Sequence, residues 1–551
     1  MRSHALPNLR RVTAAAAVGT VLLGLSAHSA PSAHPQASPT SLAPAVAFVR
    51  WLPCDQVLGN APPVDPKVAD CAVRSVPRDH SRPADGTVEV VMLRHKARNP
   101  GHRRESLFVN PGGPGQSGLH FAYRAEKYLT GEVLARYDVI GFDPRGVGQS
   151  AAVKCFTSQE EADAARGERI RAPRTPAETA TTIRADRAYT DACARDAGPL
   201  LPHVTTADVA RDLDLLRQGV KAPRLNFAGF SYGSMIGATY TNLFPRHTGA
   251  LILDGNIDPL LRMTDGPAYD RRRADGAEDV LRAFLRDCVR ADERCAFGDG
   301  SPATALNAIH DRLRQGPLTL PGGGTVDSGS FSDQVLGALS DGDLTGLATS
   351  LKALQAVMDG SNSPGDTTPA RLFRVRSDHE DQNHESRNHE IQKHEAAKPR
   401  SAYRGDDSGD AVNCSEKPYP RRVGTWSERA ASWERTSPTF GRAQAFDSLP
   451  CATWPVRPQD TAAYTGPWDR PVARTALVVG NRLDPVTPHL FAERMADRLA
   501  NARLLTADMY GHTAMGLNTC VDELATRYLI DGDLPRPGTV CPANEPPFGS
   551  P

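Results

Sequence analysis

The chain lacks a net charge: 64 Lys and Arg offset 64 Asp and Glu over 551 residues. Without a global field, neither nucleic acid nor an anionic membrane surface is favoured as a partner, and local chemistry must supply any specificity. After the N-terminus it has no apolar run long enough to span a bilayer, which excludes stable membrane insertion by a helix. It has no Cys-x-x-Cys pair, which argues against a structural zinc site. It has no cysteine before Cys54, so a lipid-anchored product is not indicated.

What is present begins with an export signal. Arg2, Arg10 and Arg11 precede the apolar run Val12 to Leu25, and small residues with proline follow to Pro35. Arg10-Arg11 raises the twin-arginine route beside the general secretory one. A signal peptide over 1–35 and a linker or propeptide over 36–50 are expected, with the mature protein secreted and extracellular. The ten cysteines suit that compartment. Their order suggests five local bridges: Cys54 with Cys71, Cys155 with Cys193, Cys288 with Cys295, Cys414 with Cys451, and Cys520 with Cys541.

Strand and helix patterns alternate from Val88 to Asp254. Strands are expected at 88–97, 105–110, 137–143, 225–230 and 250–255, and a helix at 206–220 behind a capping Thr. Between 259 and 472 the pattern turns to amphipathic helices, such as 277–293 and 331–340, with polar and Pro-rich stretches. Alternation resumes from Arg474, with strands at 474–480 and 502–508 and helices at 489–499 and 520–530. The economical reading is one α/β core, 51–258 and 473–545, interrupted by a helical cap insertion over 259–472. That cap would contain a flexible loop at 377–410. Its His-Glu repeat, at His379, His384, His389 and His394, has a period that keeps the imidazoles off a common helical face. A solvated loop is expected there, with weak metal binding as the alternative.

The chemistry concentrates at Gly229-Phe230-Ser231-Tyr232-Gly233, between an apolar strand and a small-residue helix. The two glycines permit a sharp strand-to-helix turn that exposes Ser231 as a nucleophile. Such a serine needs a base, a group to orient that base, and amide donors for the developing oxyanion. "LVVGNRLDPVTP" places Asp484 beyond one late strand, and "ADMYGHTAM" places His512 beyond the next. The order nucleophile, acid, base is the α/β-hydrolase order, and the spacing from Asp484 to His512 leaves room for one helix and one strand. "LFVNPGGPGQSG" offers Gly112 and Gly113 after an early strand, with Tyr232 supplying the second oxyanion amide. No metal or organic cofactor is required by these parts.

Taken together, "NPGGPGQSG", "YDVIGFDPRGVGQS", "GFSYGS", "LILDGNIDP", "CATWP", "GNRLDPVTP" and "GHTAM" resemble the secreted bacterial tripeptidyl aminopeptidases, serine exopeptidases of the prolyl-aminopeptidase type with a TAP-like C-terminal domain. The likeness runs from about Trp51 to Cys541. It implies an α/β-hydrolase fold: a mostly parallel sheet with helices on both faces, and a largely helical cap inserted before the last strands. It implies cleavage of short peptides, commonly tripeptides, from free N-termini, so that peptides with a free N-terminus are the expected substrates. It points to Ser231, Asp484 and His512 as the catalytic set and to Gly113 and Tyr232 at the oxyanion hole. Asp143 and Arg145 of "DPRG" read as structural support. A cap carboxylate should hold the substrate ammonium, with Glu416 as one candidate. The alternatives are an esterase or lipase with the same triad, and a binding protein that retains the fold without catalysis.

Overall fold

Runs of apolar residues too short for helices become strands where both faces can be covered, and this sequence has several. The computed structural model describes residues 48–59, 64–99, 101, 105–321, 323–361 and 402–549. The expected signal peptide and the His-Glu repeat lie outside the described residues. The strands are β1 (Ala69–Pro77), β2 (Thr87–His95), β3 (Ser106–Asn110), β4 (Asp138–Phe142), β5 (Leu225–Phe230), β6 (Thr248–Asp254), β7 (Leu318–Thr319), β8 (Thr325–Val326), β9 (Ala476–Leu483), β10 (Ala502–Tyr510) and β11 (Val540–Pro542). Nine of them form one sheet in the order β1-β2-β4-β3-β5-β6-β9-β10-β11, and β7 pairs with β8 in a separate hairpin. The β1-β2 and β2-β4 pairs are antiparallel, and every pair from β4 onward through β11 is parallel.

The sheet is buried on both faces. Every residue of β4, β5 and β6 is buried, and neighbours along a strand enter opposite clusters. Phe108 and Phe227 pack with Tyr189, Leu213, Met235 and Phe491 on one side. Val109, Ala228 and Phe230 pack with Val133, Val521 and Tyr528 on the other. Between β6 and β9 the chain is mainly helical, and the helices Gly266–Ala291, Pro302–Arg314, Ser328–Asp341 and Leu344–Met358 share a cluster that includes Phe284, Ile309, Val335 and Leu351. Residues 402–410, the end of the segment expected as a flexible loop, are held in place. Asp407 accepts the Cys155 amide at 2.7 Å and the Tyr403 hydroxyl at 2.9 Å. A helix follows at Ser408–Glu416.

All five disulfides join the cysteines that their order predicts. Among the described residues no helix is long and apolar enough to cross a membrane. β1, β11 and the helix Pro176–Asp196 were not anticipated from the sequence. β1 ends in proline and opens with four consecutive buried residues in place of a buried-exposed alternation, and β11 has three residues, so neither carries the apolar alternation that marks a strand.

β4 and the helix Gly118–Tyr123 meet at Gly141, where an added Cβ would lie 1.8 Å from the Gly118 carbonyl oxygen and 2.7 Å from the Ala122 Cβ. Gly141→Ala should therefore lower unfolding free energy by about 3 kcal/mol or more through overpacking. Gly131→Ala, where nothing lies within 4 Å of an added Cβ, should be neutral or stabilising by about 0.5 kcal/mol. Denaturant midpoints of the two variants check both values.

Candidate active site

β5 delivers Ser231 to the sheet's carboxyl edge, and the helix Tyr232–Leu243 starts immediately after it. Ser231 takes φ 53° and ψ −122°, a left-handed conformation that a non-glycine residue holds at a cost of about 1–3 kcal/mol. Three hydrogen bonds hold it there. The Ser231 amide donates to the Asp254 carbonyl at 2.8 Å. The Ser231 carbonyl accepts from the Ser234 amide at 2.9 Å and the Ser234 hydroxyl at 2.6 Å. Gly233 is required because an added Cβ would stand 2.5 Å from the Asn110 carbonyl oxygen of β3.

The loop after β3 lies against this turn. Gly112 has φ +101°, and a Cβ built on it would lie 2.7 Å from the Tyr232 nitrogen and 3.0 Å from the Ser231 Cβ. The Gly112 amide is committed, donating to Asn110 Oδ1 at 3.0 Å. Asp143, buried after β4, braces the far end of the loop by accepting the Ser117 hydroxyl at 2.6 Å, the Leu119 amide at 3.3 Å and the Gln149 amide at 2.9 Å. Burial pushes the Asp143 carboxyl up, and those three donors oppose the shift. Arg145 is a buried strut. It donates to both oxygens of Asp212 at 2.6 Å and to the carbonyls of Pro77, Arg78 and His203.

Asp484 follows β9 directly and closes a turn on itself. Its Oδ1 accepts the Val486 and Thr487 amides, both at 2.8 Å, and its Oδ2 accepts the Thr487 hydroxyl at 2.9 Å. His512 follows β10, and its Nδ1 lies 2.9 Å from Asp484 Oδ2. With Nδ1–H donating to the carboxylate, the neutral ring keeps Nε2 as its basic nitrogen. The loop is bracketed by Asn481, whose amide nitrogen donates to the Gly511 carbonyl at 2.8 Å and the Thr513 carbonyl at 2.7 Å. The insertion reaches the same place: the His512 amide donates to the Ser340 carbonyl at 2.8 Å. The imidazole lies over Gly255, where an added Cβ would be 3.1 Å from His512 Cε1. Asp484 and His512 are thus in direct contact. Ser231 and His512 both lie against the Asp254-Gly255 turn, one bonded to its carbonyl and the other packed on its glycine.

Glu416 is not open to a ligand. It is fully buried, and it accepts the Thr206 amide at 2.8 Å, the Thr206 hydroxyl at 2.8 Å and Arg262 Nη2 at 2.7 Å. The Arg262 guanidinium lies 5.3 Å over the Tyr232 ring, and the Tyr232 hydroxyl is 2.6 Å from the Thr206 hydroxyl. The reading of Glu416 as one candidate for holding a substrate ammonium is therefore corrected: its charge is already neutralised by a buried arginine, and it supports Tyr232 from behind. Sequence could not show this, because Arg262 stands 154 residues away. Asn481 and Asp254 were likewise missed as loop anchors, since their partners become neighbours only in the folded sheet.

A doubly covered parallel sheet with a serine on a strained turn after β5, and an acid-histidine pair on later strand ends, defines the α/β-hydrolase class. The family model described as alpha/beta hydrolase fold matches residues 105–295, and that described as TAP-like protein matches residues 437–541. The chain is 30% identical over 542 residues to carboxylesterase B of Mycobacterium tuberculosis, covering 95% of this chain and 96% of that protein. It is 29% identical over 497 residues to the tripeptidyl aminopeptidase of Streptomyces coelicolor, covering 88% of this chain and 84% of that protein. It is 28% identical over 517 residues to serine protease Hip1 of Mycobacterium tuberculosis, covering 90% and 91%. The chain belongs to the α/β-hydrolase family, and its C-terminal part is TAP-like.

Removing one partner of a buried ion pair strands the other charge. Glu416→Ala should lower stability by about 3–5 kcal/mol, with a fall in melting temperature at every pH at which Arg262 stays charged, and thermal denaturation reads it directly.

Proposed function

We propose that the protein is an exported serine peptidase that removes short peptides, tripeptides foremost, from free N-termini. Ser231 is its nucleophile, His512 its base, Asp484 its acid, and the amides of Gly113 and Tyr232 its oxyanion donors. The observation that carries this reading is the 2.9 Å bond from His512 Nδ1 to Asp484, at the sheet edge where Ser231 occupies a strained turn. His512 Nε2 takes the hydroxyl proton as Ser231 Oγ attacks the substrate carbonyl carbon. Asp484 keeps the ring in the required tautomer and stabilises its positive charge. The tetrahedral oxyanion is met by the Tyr232 amide at the start of its helix and by Gly113, since the Gly112 amide is already donated to Asn110. His512 returns the proton to the leaving amine, and water activated by the same ring then releases the acyl group.

The similarity to a tripeptidyl aminopeptidase and to serine protease Hip1 supports peptide hydrolysis. The five disulfides support an oxidising, exported compartment. A second reading, an esterase built on the same three residues, is favoured by two observations. One is the comparable similarity to a carboxylesterase, and the other is the neutralisation of Glu416 by Arg262.

The two readings separate on chromogenic tripeptide substrates with free and acetylated N-termini, assayed beside a simple aryl ester. A peptidase of the proposed kind should cleave the free form at least ~100-fold faster, the discrimination expected when a site's charged group is left unpaired. Equal rates on both forms, or turnover of the ester alone, overturns the exopeptidase reading. Ser231→Ala should reduce kcat by ~10⁴-fold or more with the fold intact, and fluorophosphonate labelling should map to Ser231.

A further inference from the structure

Asp254, the last residue of β6, is fully buried. Its backbone carbonyl accepts the Ser231 amide at 2.8 Å. Its carboxylate Oδ2 accepts two further amides, those of Ala514 and Met515, both at 2.9 Å and directly downstream of His512. One residue therefore ties the serine's turn to the histidine's loop, across strands that are not sequence neighbours. The second carboxylate oxygen, Oδ1, is buried and makes no hydrogen bond to the described protein.

Holding two amides does not require a charge, because the neutral carbonyl of an asparagine would accept them equally well. A buried carboxylate with one bare oxygen is the more costly choice. Burial raises its carboxyl to about 6, against the opposing pull of the two amides and of His512, while Asp484 adds to the rise. The ionisable groups that face it are His512, on the loop after β10, and Asp484, on the loop after β9. With Asp254 ionised, an imidazolium at His512 faces two favourable negative charges, of which only Asp484 is hydrogen-bonded to the ring.

We propose that Asp254 is a positioning residue of the active site, which ties the His512 loop to the Ser231 turn and adds the second negative charge that favours the imidazolium formed during proton transfer. This rests on Ser231 and His512 acting as nucleophile and base. Asp254 does not touch substrate, and it takes no proton from the serine.

The test uses the full-length enzyme, with Asp254→Asn and Asp254→Ala compared by the pH profile of kcat/KM on the best tripeptide or ester substrate. Asp254→Asn keeps an acceptor for both amides and removes the charge, so the acidic limb should move to lower pH by about half a unit or more as the imidazolium loses support. KM should stay within about threefold, because no binding contact is removed. Asp254→Ala also frees the loop, and kcat should fall ~100-fold, the scale of a base misplaced by about 1 Å. An Asp254→Asn profile superimposable on wild type overturns the proposal, whatever the alanine variant does, since plain packing would alter melting temperature without moving that limb. Should wild-type Ser231 resist fluorophosphonate, or Ser231→Ala keep full activity, the underlying assignment of nucleophile fails instead, and the Asp254 proposal falls with it.

Discussion

The contact between His512 and Asp484 joins two loops that a helix and a strand separate in sequence, and it exists only because β9 and β10 run side by side in one parallel register. Leu504 lies beside Val478, Leu505 beside Val479, and Tyr510 beside Leu483 after a shift in the ladder. A slip of one residue would turn the buried side chains of β10 to the opposite face and carry the imidazole away from the carboxylate. The apolar interior prevents that slip, with Val479 and Leu505 in one cluster and Val478 in the other. Side-chain alternation along two buried strands therefore sets the geometry of a polar contact beyond their ends.

The helical segment between β6 and β9 contacts this edge directly. Its helix Ser328–Asp341 presents the Ser340 carbonyl to the His512 amide, and its helix Gly266–Ala291 presents Asp287 to the Tyr510 hydroxyl at 2.6 Å. A third contact runs from Glu416 through Thr206 to Tyr232, beneath the serine's turn. Buried ion pairs such as Arg262 with Glu416 and Lys417 with Asp270 add little net stability compared with apolar packing, but they penalise any arrangement that separates the partners. Arg262 follows β6 while Glu416 ends the helix Ser408–Glu416, so this penalty keeps those two segments in one relation beside Tyr232.

Much of this was legible from residue order. Contiguous apolar runs marked the strands of the parallel part, the succession of Ser231, Asp484 and His512 marked their place on one edge, and the pairing of neighbouring cysteines followed from their order. What escaped was whatever depends on long-range pairing. β1 is an edge strand whose partner β2 completes its pattern, so its own sequence alternates poorly. Glu416 could be no more than one candidate for the ammonium, because a carboxylate beside Cys414 reads identically whether or not an arginine neutralises it. Asp254 stood in plain view in "LILDG", but the amides it accepts lie 260 and 261 residues further on.

A set of Ser231, Asp484 and His512 would not distinguish a peptidase from an esterase; the group that receives a substrate ammonium would. An unpaired carboxylate about 4 Å from an ammonium contributes ~4 kcal/mol near a protein surface, enough to make a free N-terminus decisive. The carboxylates of the sheet edge are already committed: Asp143 to Ser117, Leu119 and Gln149, Asp484 to its own turn and His512, and Asp254 to the loop after β10. Each is held by donors that a ligand would have to displace. A tripeptide acyl group extends about 10 Å from the scissile carbon, so on the proposed reading its ammonium would lie well away from the reacting atoms. On the proposed reading, recognition of a free N-terminus therefore falls to groups away from these three carboxylates, whereas the bond cleaved is set at the sheet edge.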